Sequence, residues 1–188
     1  MKTIIYMVRH GESPYDEGTE RTRGLTPKGK IDIEKVTRIL INEGIDMIIS
    51  SPYSRAILSV EGLAEHLNLD IKVFEDLRER HFASSLIDHA ELMTGIRESF
   101  NDPNYTLPGG ESNAACQNRA ISVLKPIIEE YRGKKIAVGT HGIVMTLMMN
   151  YFDSAFGLEF ANQLTKPDIY KMQFEGLELK KVTRLWND

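Results

Sequence analysis

The sequence predicts an α/β fold: a three-layer α/β/α sandwich around a mostly parallel, mixed central sheet, with a small cap segment. Three observations carry this expectation. Short apolar runs near residues 3–8, 46–50, 71–74 and 135–139 have the length of buried strands. Segments of helical length separate them, the alternation that builds parallel β-α-β units with helices on both faces. Two further strand-like runs, 169–174 and 177–185, flank Glu175-Gly176 and read as a hairpin that adds antiparallel strands at one edge.

Each element has a local reason. The first strand runs into Arg9-His10-Gly11, and residues 16–24 form a polar, charged loop. Thr26-Pro27 then supplies an N-cap and a first-turn proline, opening a helix to about residue 43. Ile33, Val36 and Leu40 share one face of it, and Gly44 is placed to terminate it. After the strand at 46–50, Ser51-Pro52 opens a second helix reaching about residue 68. Residues 79–108 are mixed, with a helix expected at 91–100 and a loop at 101–110. A long helix is expected at 111–131, kinked or divided by Pro126. The strand at 135–139 hands over to a helix at 142–151, in which Met145, Met148 and Met149 read as core.

No repeat, low-complexity tract or linker divides the 188 residues, so one domain spanning 1–188 is expected, with residues 80–108 as a small cap insertion. The formal net charge of −4 gives no global field that would attract nucleic acid or an anionic membrane. No run approaches the ~20 apolar residues that span a bilayer, and the N-terminal apolar stretch is too short for a secretion signal. Cys116 is the only cysteine, which fits a reducing, cytoplasmic setting. Nothing in the sequence sets an oligomeric state.

Three motifs share one topological position. Arg9-His10-Gly11 follows the first strand, Ser50-Ser51-Pro52-Tyr53-Ser54-Arg55 the second, and Gly139-Thr140-His141-Gly142 the strand at 135–139. Parallel strands bring such motifs to one sheet edge, where α/β proteins bind ligands. Two arginines and two histidines there suit a small anion with several acceptor oxygens, and a guanidinium grips a phosphoryl group with parallel hydrogen bonds. Helix starts near Pro52 and Gly142 are expected to add backbone N–H donors. An arginine stays protonated, whereas a neutral imidazole can attack phosphorus, and neighbouring cations favour that neutral form. His10 is therefore the candidate nucleophile and His141 a candidate donor to phosphoryl oxygens. Glu79, in Leu77-Arg78-Glu79-Arg80-His81, is the candidate acid for the leaving oxygen. Arg21 and Arg23 in the polar loop, Gly142 and His81 are candidate substrate contacts.

These residues carry a resemblance. Arg9-His10-Gly11-Glu12-Ser13, Leu25-Thr26-Pro27-Lys28-Gly29, Ser50-Ser51-Pro52 with Arg55-Ala56, Glu79-Arg80, Pro108-Gly109-Gly110-Glu111-Ser112 and Thr140-His141-Gly142 occur in the order seen in the histidine phosphatase superfamily. The chain resembles this phosphoglycerate-mutase-like group over roughly residues 3–150. The resemblance implies a phosphohistidine on His10, with Arg9, Arg55 and His141 holding the phosphoryl group. It also implies Glu79 as general acid and then base, and no metal or organic cofactor.

Mutases of this type resemble longer chains, whereas only 28 residues lie between Glu79 and Pro108 here. A small cap leaves the site open to water, so hydrolysis of a small phosphorylated substrate is expected ahead of mutase-type transfer. A non-catalytic, phosphate-binding regulatory protein is a further reading. Asp16 stands where many members have an asparagine, and its carboxylate should repel a phosphoryl group. Ala83-Ser84 replaces a common glycine, and Leu58-Ser59-Val60 replaces Gln-Thr-Ala, which reads as helix packing. Phe82, Leu86, His89, Met93 and Tyr105 lie in the variable segment expected to meet the leaving group. A metal site at His10, Glu12 and His141 is disfavoured by the two arginines beside it, and no Gly-x-Gly-x-x-Gly follows any strand.

Overall fold

A computed structural model describes residues 1–83 and 87–187. Among the described residues six strands form one sheet, in the order β3-β2-β4-β1-β5-β6. They are β1 (Lys2–Arg9), β2 (Met47–Ser50), β3 (Ile71–Val73), β4 (Lys135–Thr140), β5 (Asp168–Glu175) and β6 (Glu178–Arg184). β1, β2, β3 and β4 are mutually parallel; β5 runs antiparallel to β1 and pairs with β6 as the expected hairpin. The helices are α1 (Pro27–Leu40), α2 (Ser54–Leu67), α3 (His89–Asn101), α4 (Asn113–Glu130), α5 (Gly142–Phe152) and α6 (Leu158–Gln163). A 3-10 turn at Glu75–Leu77 leads into Glu79.

β1 lies between β4 and β5, so both of its edges are paired, and Ile5, Tyr6, Met7 and Val8 are fully buried. Its side chains alternate between two cores. Ile5 and Met7 join α4 and α5 residues such as Leu124, Ile128, Met145 and Met149. Tyr6 and Val8 join Ile33, Val36 and Leu40 of α1 with Val60 and Leu63 of α2. The two helical layers are thereby fixed to opposite sides of the sheet.

The local signals at 26–27 act as expected: the Thr26 hydroxyl accepts from Gly29 N at 3.0 Å, with Pro27 as the first helical residue. α1 ends at Leu40, earlier than expected, and Gly44 (φ +73°) makes the turn toward β2. Pro126 does not divide α4. It is exposed, while Leu124, Ile127 and Ile128 on the opposite face are buried and offset the missing backbone donor. Ser112 caps α4 by accepting from Ala115 N at 3.1 Å, and Glu111 beside it forms an ion pair with Arg119 at 2.6 Å. Residues 153–167 carry no clear element signal in the sequence; the stretch contains α6 and the loop that meets the site.

Between the 3-10 turn and α4, α3 is the helical part of the described residues. Arg80, 2% exposed, pins this segment by donating to Glu111 O, Ser99 Oγ and Asn113 Oδ1 at 2.7–2.8 Å. Ser84 and Leu86 of the variable segment lie outside the described residues. Among the described residues no helix is long and apolar enough to cross a membrane.

The Thr26 hydroxyl also donates to Glu12 Oε1 at 2.8 Å, which joins the α1 cap to the loop after His10. Thr26→Ala is expected to cost about 1–2 kcal/mol of stability, whereas Thr26→Ser retains most of it. Urea denaturation of the three proteins checks this.

Candidate active site

The β1–β4 register sets the site. Arg9 lies opposite Thr140, and the ladder continues one residue further, with His10 N donating to Thr140 O at 3.0 Å. His10 and His141 therefore leave adjacent strands at the same level, and their rings meet edge-on with centroids 5.2 Å apart. Parallel pairing of β2 with β4 brings Ser51 to the same edge, where its N–H donates to Gly139 O. α2 starts immediately afterwards and carries Arg55 in its first turn.

His10 is buried, and its Nδ1 is 2.7 Å from the carbonyl of Gly11. A carbonyl only accepts, so Nδ1 carries the proton and the Nε2 lone pair is left facing the site. Arg55 Nε donates to that Nε2 at 3.2 Å. Gly11 N–H in turn donates to Ser59 Oγ at 3.0 Å, which gives Ser59 a part in holding the histidine loop beyond helix packing. Gly29 packs so tightly under this loop that a Cβ would lie 2.2 Å from Glu12 O. Burial first, then the Arg55 and Arg9 charges, hold the His10 imidazole well below its ordinary pKa of 6.5. His141, fully buried, is lowered in the same direction by burial, by His10 and by the arginines. Its Nε2 lies 2.7 Å from Ser51 Oγ, while Nδ1 has no protein partner.

Arg9 donates from Nη1 to the carbonyls of Leu164 and Thr165 at 2.8 and 3.2 Å, in the loop between α6 and β5. Its guanidinium lies against Gly142, where a Cβ would approach Nη2 to 2.9 Å. The glycine thus makes room for the arginine. Asp168, fully buried opposite Arg9 in the β1–β5 register, fixes that loop through Thr165 N and Arg184.

Glu79 reaches the site from the 3-10 turn. Its carboxylate accepts from Ile143 N at 3.1 Å, Val144 N at 2.9 Å and Arg80 N at 2.9 Å. The N–H donors of α5 expected to meet an external anion are therefore taken by Glu79, a carboxylate placed at the positive end of the helix. At α2, Ser54 N–H is likewise used, donating to Arg21 O. Arg119 on α4 secures the approach to Glu79, donating to the carbonyls of Asp76 and Arg78 at 2.7 and 2.9 Å.

The two loop arginines part company. Arg23 is 8% exposed and turns inward, donating to Ser13 Oγ at 2.7 Å and lining the cleft. Arg21 points away: it is exposed and forms a bidentate pair with Glu75 at 2.7–3.0 Å. His81 is exposed and is not among the residues lining the cleft; its backbone pairs with Glu111. Asp16 is also exposed and outside the lining, so the expected repulsion of an anion does not arise from it. The carboxylate that does meet the arginines is Glu20, which bonds both Arg55 and Arg23.

The cleft has a volume of about 720 Å³. Its polar lining includes Arg9, His10, Arg23, Arg55, Glu20 and Glu79, and its apolar lining Phe82, Ile87, Leu92, Met93, Ile96 and Ile143. Lys166, hydrogen-bonded to Tyr15 Oη at 2.7 Å, stands at the rim. His89 also lines the cleft, while Tyr105 does not. Sequence reasoning missed the positions of Glu20, Lys166 and Arg119. Glu20 is visible in the sequence only as one more charge in a polar loop, and the other two lie outside every recognised block.

A neutral imidazole with a directed lone pair, ringed by guanidinium groups and faced by a carboxylate, defines a site for nucleophilic chemistry on an anion, mounted on an α/β sheet edge. The chain belongs to the histidine phosphatase superfamily (branch 1), whose profile matches residues 5–187. It is 27% identical over 156 residues to a protein of Hydrogenobacter thermophilus named putative phosphoserine phosphatase 2, covering 77% of this chain and 76% of that one. It is 28% identical over 155 residues to phosphoglycerate mutase-like protein 4 of Arabidopsis thaliana, covering 75% and 67%. Among solved structures, a mutant phosphoserine phosphatase of Entamoeba histolytica in complex with phosphoserine superimposes with a TM-score of 0.78 at 20% identity, covering 96% of each chain. A mycobacterial glucosyl-3-phosphoglycerate phosphatase with inorganic phosphate gives 0.78 at 18% identity, covering 96% and 94%.

The two buried histidines make stability depend on pH. Their folded-state pKa values lie below 6.5, so the unfolded chain binds more protons and stability is lost as pH falls below 6.5. Unfolding at pH 5.5 is expected to take up protons, and His10→Asn is expected to flatten the fall in urea midpoint between pH 7.5 and 5.5. Equal falls in the two proteins would contradict the assignment of a neutral His10.

Proposed function

We propose that the protein hydrolyses small phosphomonoesters through a covalent phosphohistidine on His10. The observation that carries the reading is the His10 tautomer: Nδ1 is committed to Gly11 O, so the lone pair is on Nε2, where it accepts from Arg55 Nε until a phosphoryl group takes over that donor and Nε2 attacks. Nε2 attacks phosphorus while the ester P–O bond breaks, and the Glu79 carboxylate relays to the departing alcohol the proton that a monoanionic phosphomonoester brings into the site. Glu79 then takes a proton from water, the water oxygen attacks phosphorus, and the P–N bond breaks to restore His10 and release phosphate. Arg9, Arg55 and Arg23 neutralise the charge on the phosphoryl oxygens. In this reading His141, although fully buried and not among the residues lining the cleft, donates to a phosphoryl oxygen from its unpartnered Nδ1 while Ser51 O–H donates to Nε2. Gly142 serves by admitting the Arg9 guanidinium. Arg21 and His81, from their placement, act on the loop and cap rather than on the phosphoryl group.

Relatives named as phosphatases support hydrolysis, as does a short cap that leaves water a route to phosphorus. Residues 80–108 form the cap of a single domain in this reading. Its apolar wall of Phe82, Leu92, Met93 and Ile96 supports acceptance of bulky apolar alcohols. The single, buried Cys116 agrees with a cytoplasmic setting.

Rapid quenching of the enzyme with a radiolabelled phosphomonoester is expected to trap one acid-labile phosphate per chain, lost together with turnover in His10→Ala. Equal activity of wild type and His10→Ala overturns the nucleophile assignment, and interconversion of 2- and 3-phosphoglycerate without phosphate release would favour transfer over hydrolysis. Gly142→Ala, which crowds Arg9, is expected to lower kcat/KM about tenfold, or ~1.4 kcal/mol in transition-state binding, with little change in thermal midpoint.

A further inference from the structure

Of the three arginines that line the cleft, Arg23 and Arg55 share one acidic partner, Glu20, the one acidic side chain among the described residues that bonds to both. Its Oε2 lies 3.0 Å from Arg55 Nη2 and 3.3 Å from Arg23 Nη2, and its Oε1 lies 3.1 Å from Arg23 Nε. Its backbone carbonyl accepts from Arg55 Nη1. Arg55 Nε is at the same time bonded to His10 Nε2, so a single guanidinium joins the carboxylate to the attacking nitrogen. A carboxylate presents two oxygens to guanidinium groups as a phosphoryl group does.

The partners differ in their freedom. Arg55 and Arg23 are 1% and 8% exposed, whereas the Glu20 side chain is 63% exposed, on the outer turn Thr19–Thr22 of the polar loop. The turn is closed by its own contacts between Thr19 and Thr22, none of which uses the Glu20 carboxylate. Rotation of this side chain into water leaves the arginines in place and returns three guanidinium N–H bonds to the cleft.

We propose that Glu20 is an internal counter-anion of the phosphate cradle, displaced by an incoming phosphoryl group, and that it thereby sets the affinity of the site for substrate and for product phosphate. This rests on the phosphatase reading for the identity of the anion. In the empty site the single charge of Glu20 offsets part of the two buried guanidinium charges. In the loaded site the same charge opposes a neighbouring dianion and favours departure of phosphate. Glu20 is a residue that tunes binding, and it takes no part in bond making.

Calorimetric titration with inorganic phosphate tests the proposal without requiring turnover. Glu20→Gln and Glu20→Ala are expected to lower the phosphate Kd about tenfold, an effect of one removed charge, and to lower KM for a phosphomonoester in similar proportion without raising kcat. Glu17→Gln, an exposed acid in the same loop, controls for the general field and is expected to change Kd less than about twofold. Thermal midpoints of the Glu20 variants report whether the loop stays folded. Unchanged or weaker phosphate binding in both Glu20 variants overturns the proposal and makes Glu20 a fixed support of Arg55. An equal gain in Glu17→Gln overturns it in favour of loop charge alone. Phosphate binding that tightens while His10→Ala remains fully active leaves the counter-anion standing and refutes the nucleophile. Absence of phosphate binding in every protein refutes both.

Discussion

The hydrogen bond from His10 N to Thr140 O is the join on which the rest depends. It extends the β1–β4 ladder beyond the strands and locks two histidines from distant parts of the chain to one level of the sheet. β2, paired to the other side of β4, adds Ser51 and Arg55; β5, paired to the other side of β1, adds the loop that grips Arg9. A one-residue slip of β1 would exchange the faces to which Arg9 and His10 point, and would also exchange the two cores, since Tyr6 and Met7 serve different layers. Catalytic geometry and core packing therefore enforce the same register.

Concentrating guanidinium groups in a buried place carries a desolvation cost, and the structure meets it with oxygen atoms. Backbone carbonyls of Leu164, Thr165 and Glu20 and the carboxylates of Glu20 and Glu79 share the load. The imidazoles respond oppositely: surrounded by cations and out of water, both stay neutral. In the proposed reaction a neutral ring attacks phosphorus, so the electrostatic burden of the site and the nucleophilicity assigned to His10 have a common origin.

Much of the fold and of the site is legible in the sequence because both are written in local signals. Apolar runs of strand length, Thr26-Pro27 and the polar residues directly after three strands need only their neighbours to be understood. What escapes the sequence depends on directions that only tertiary packing fixes. Arg21 and Arg23 are two residues apart in one loop, yet Glu75 draws the first outward while Ser13 and Glu20 hold the second inside. The donors at the start of α5 are expected to serve an external anion, but Glu79 arrives from 64 residues away and takes them. Asp16 is suspect from its position in a motif, whereas the acid that bonds the cleft arginines is Glu20. Pro126 signals a break by its chemistry, and burial of the helix face behind it prevails.

The placement of β1 also has a consequence for how the chain is made. The apolar stretch Ile4-Ile5-Tyr6-Met7-Val8 leaves the ribosome well before its two sheet neighbours, which both come from beyond residue 134. Until those arrive it lacks both native edge partners, so synthesis of the intervening chain proceeds with a sticky strand left open. Contacts of such long sequence separation slow folding and lengthen exposure to aggregation. Shielding of nascent β1 is thus a demand built into the strand order itself.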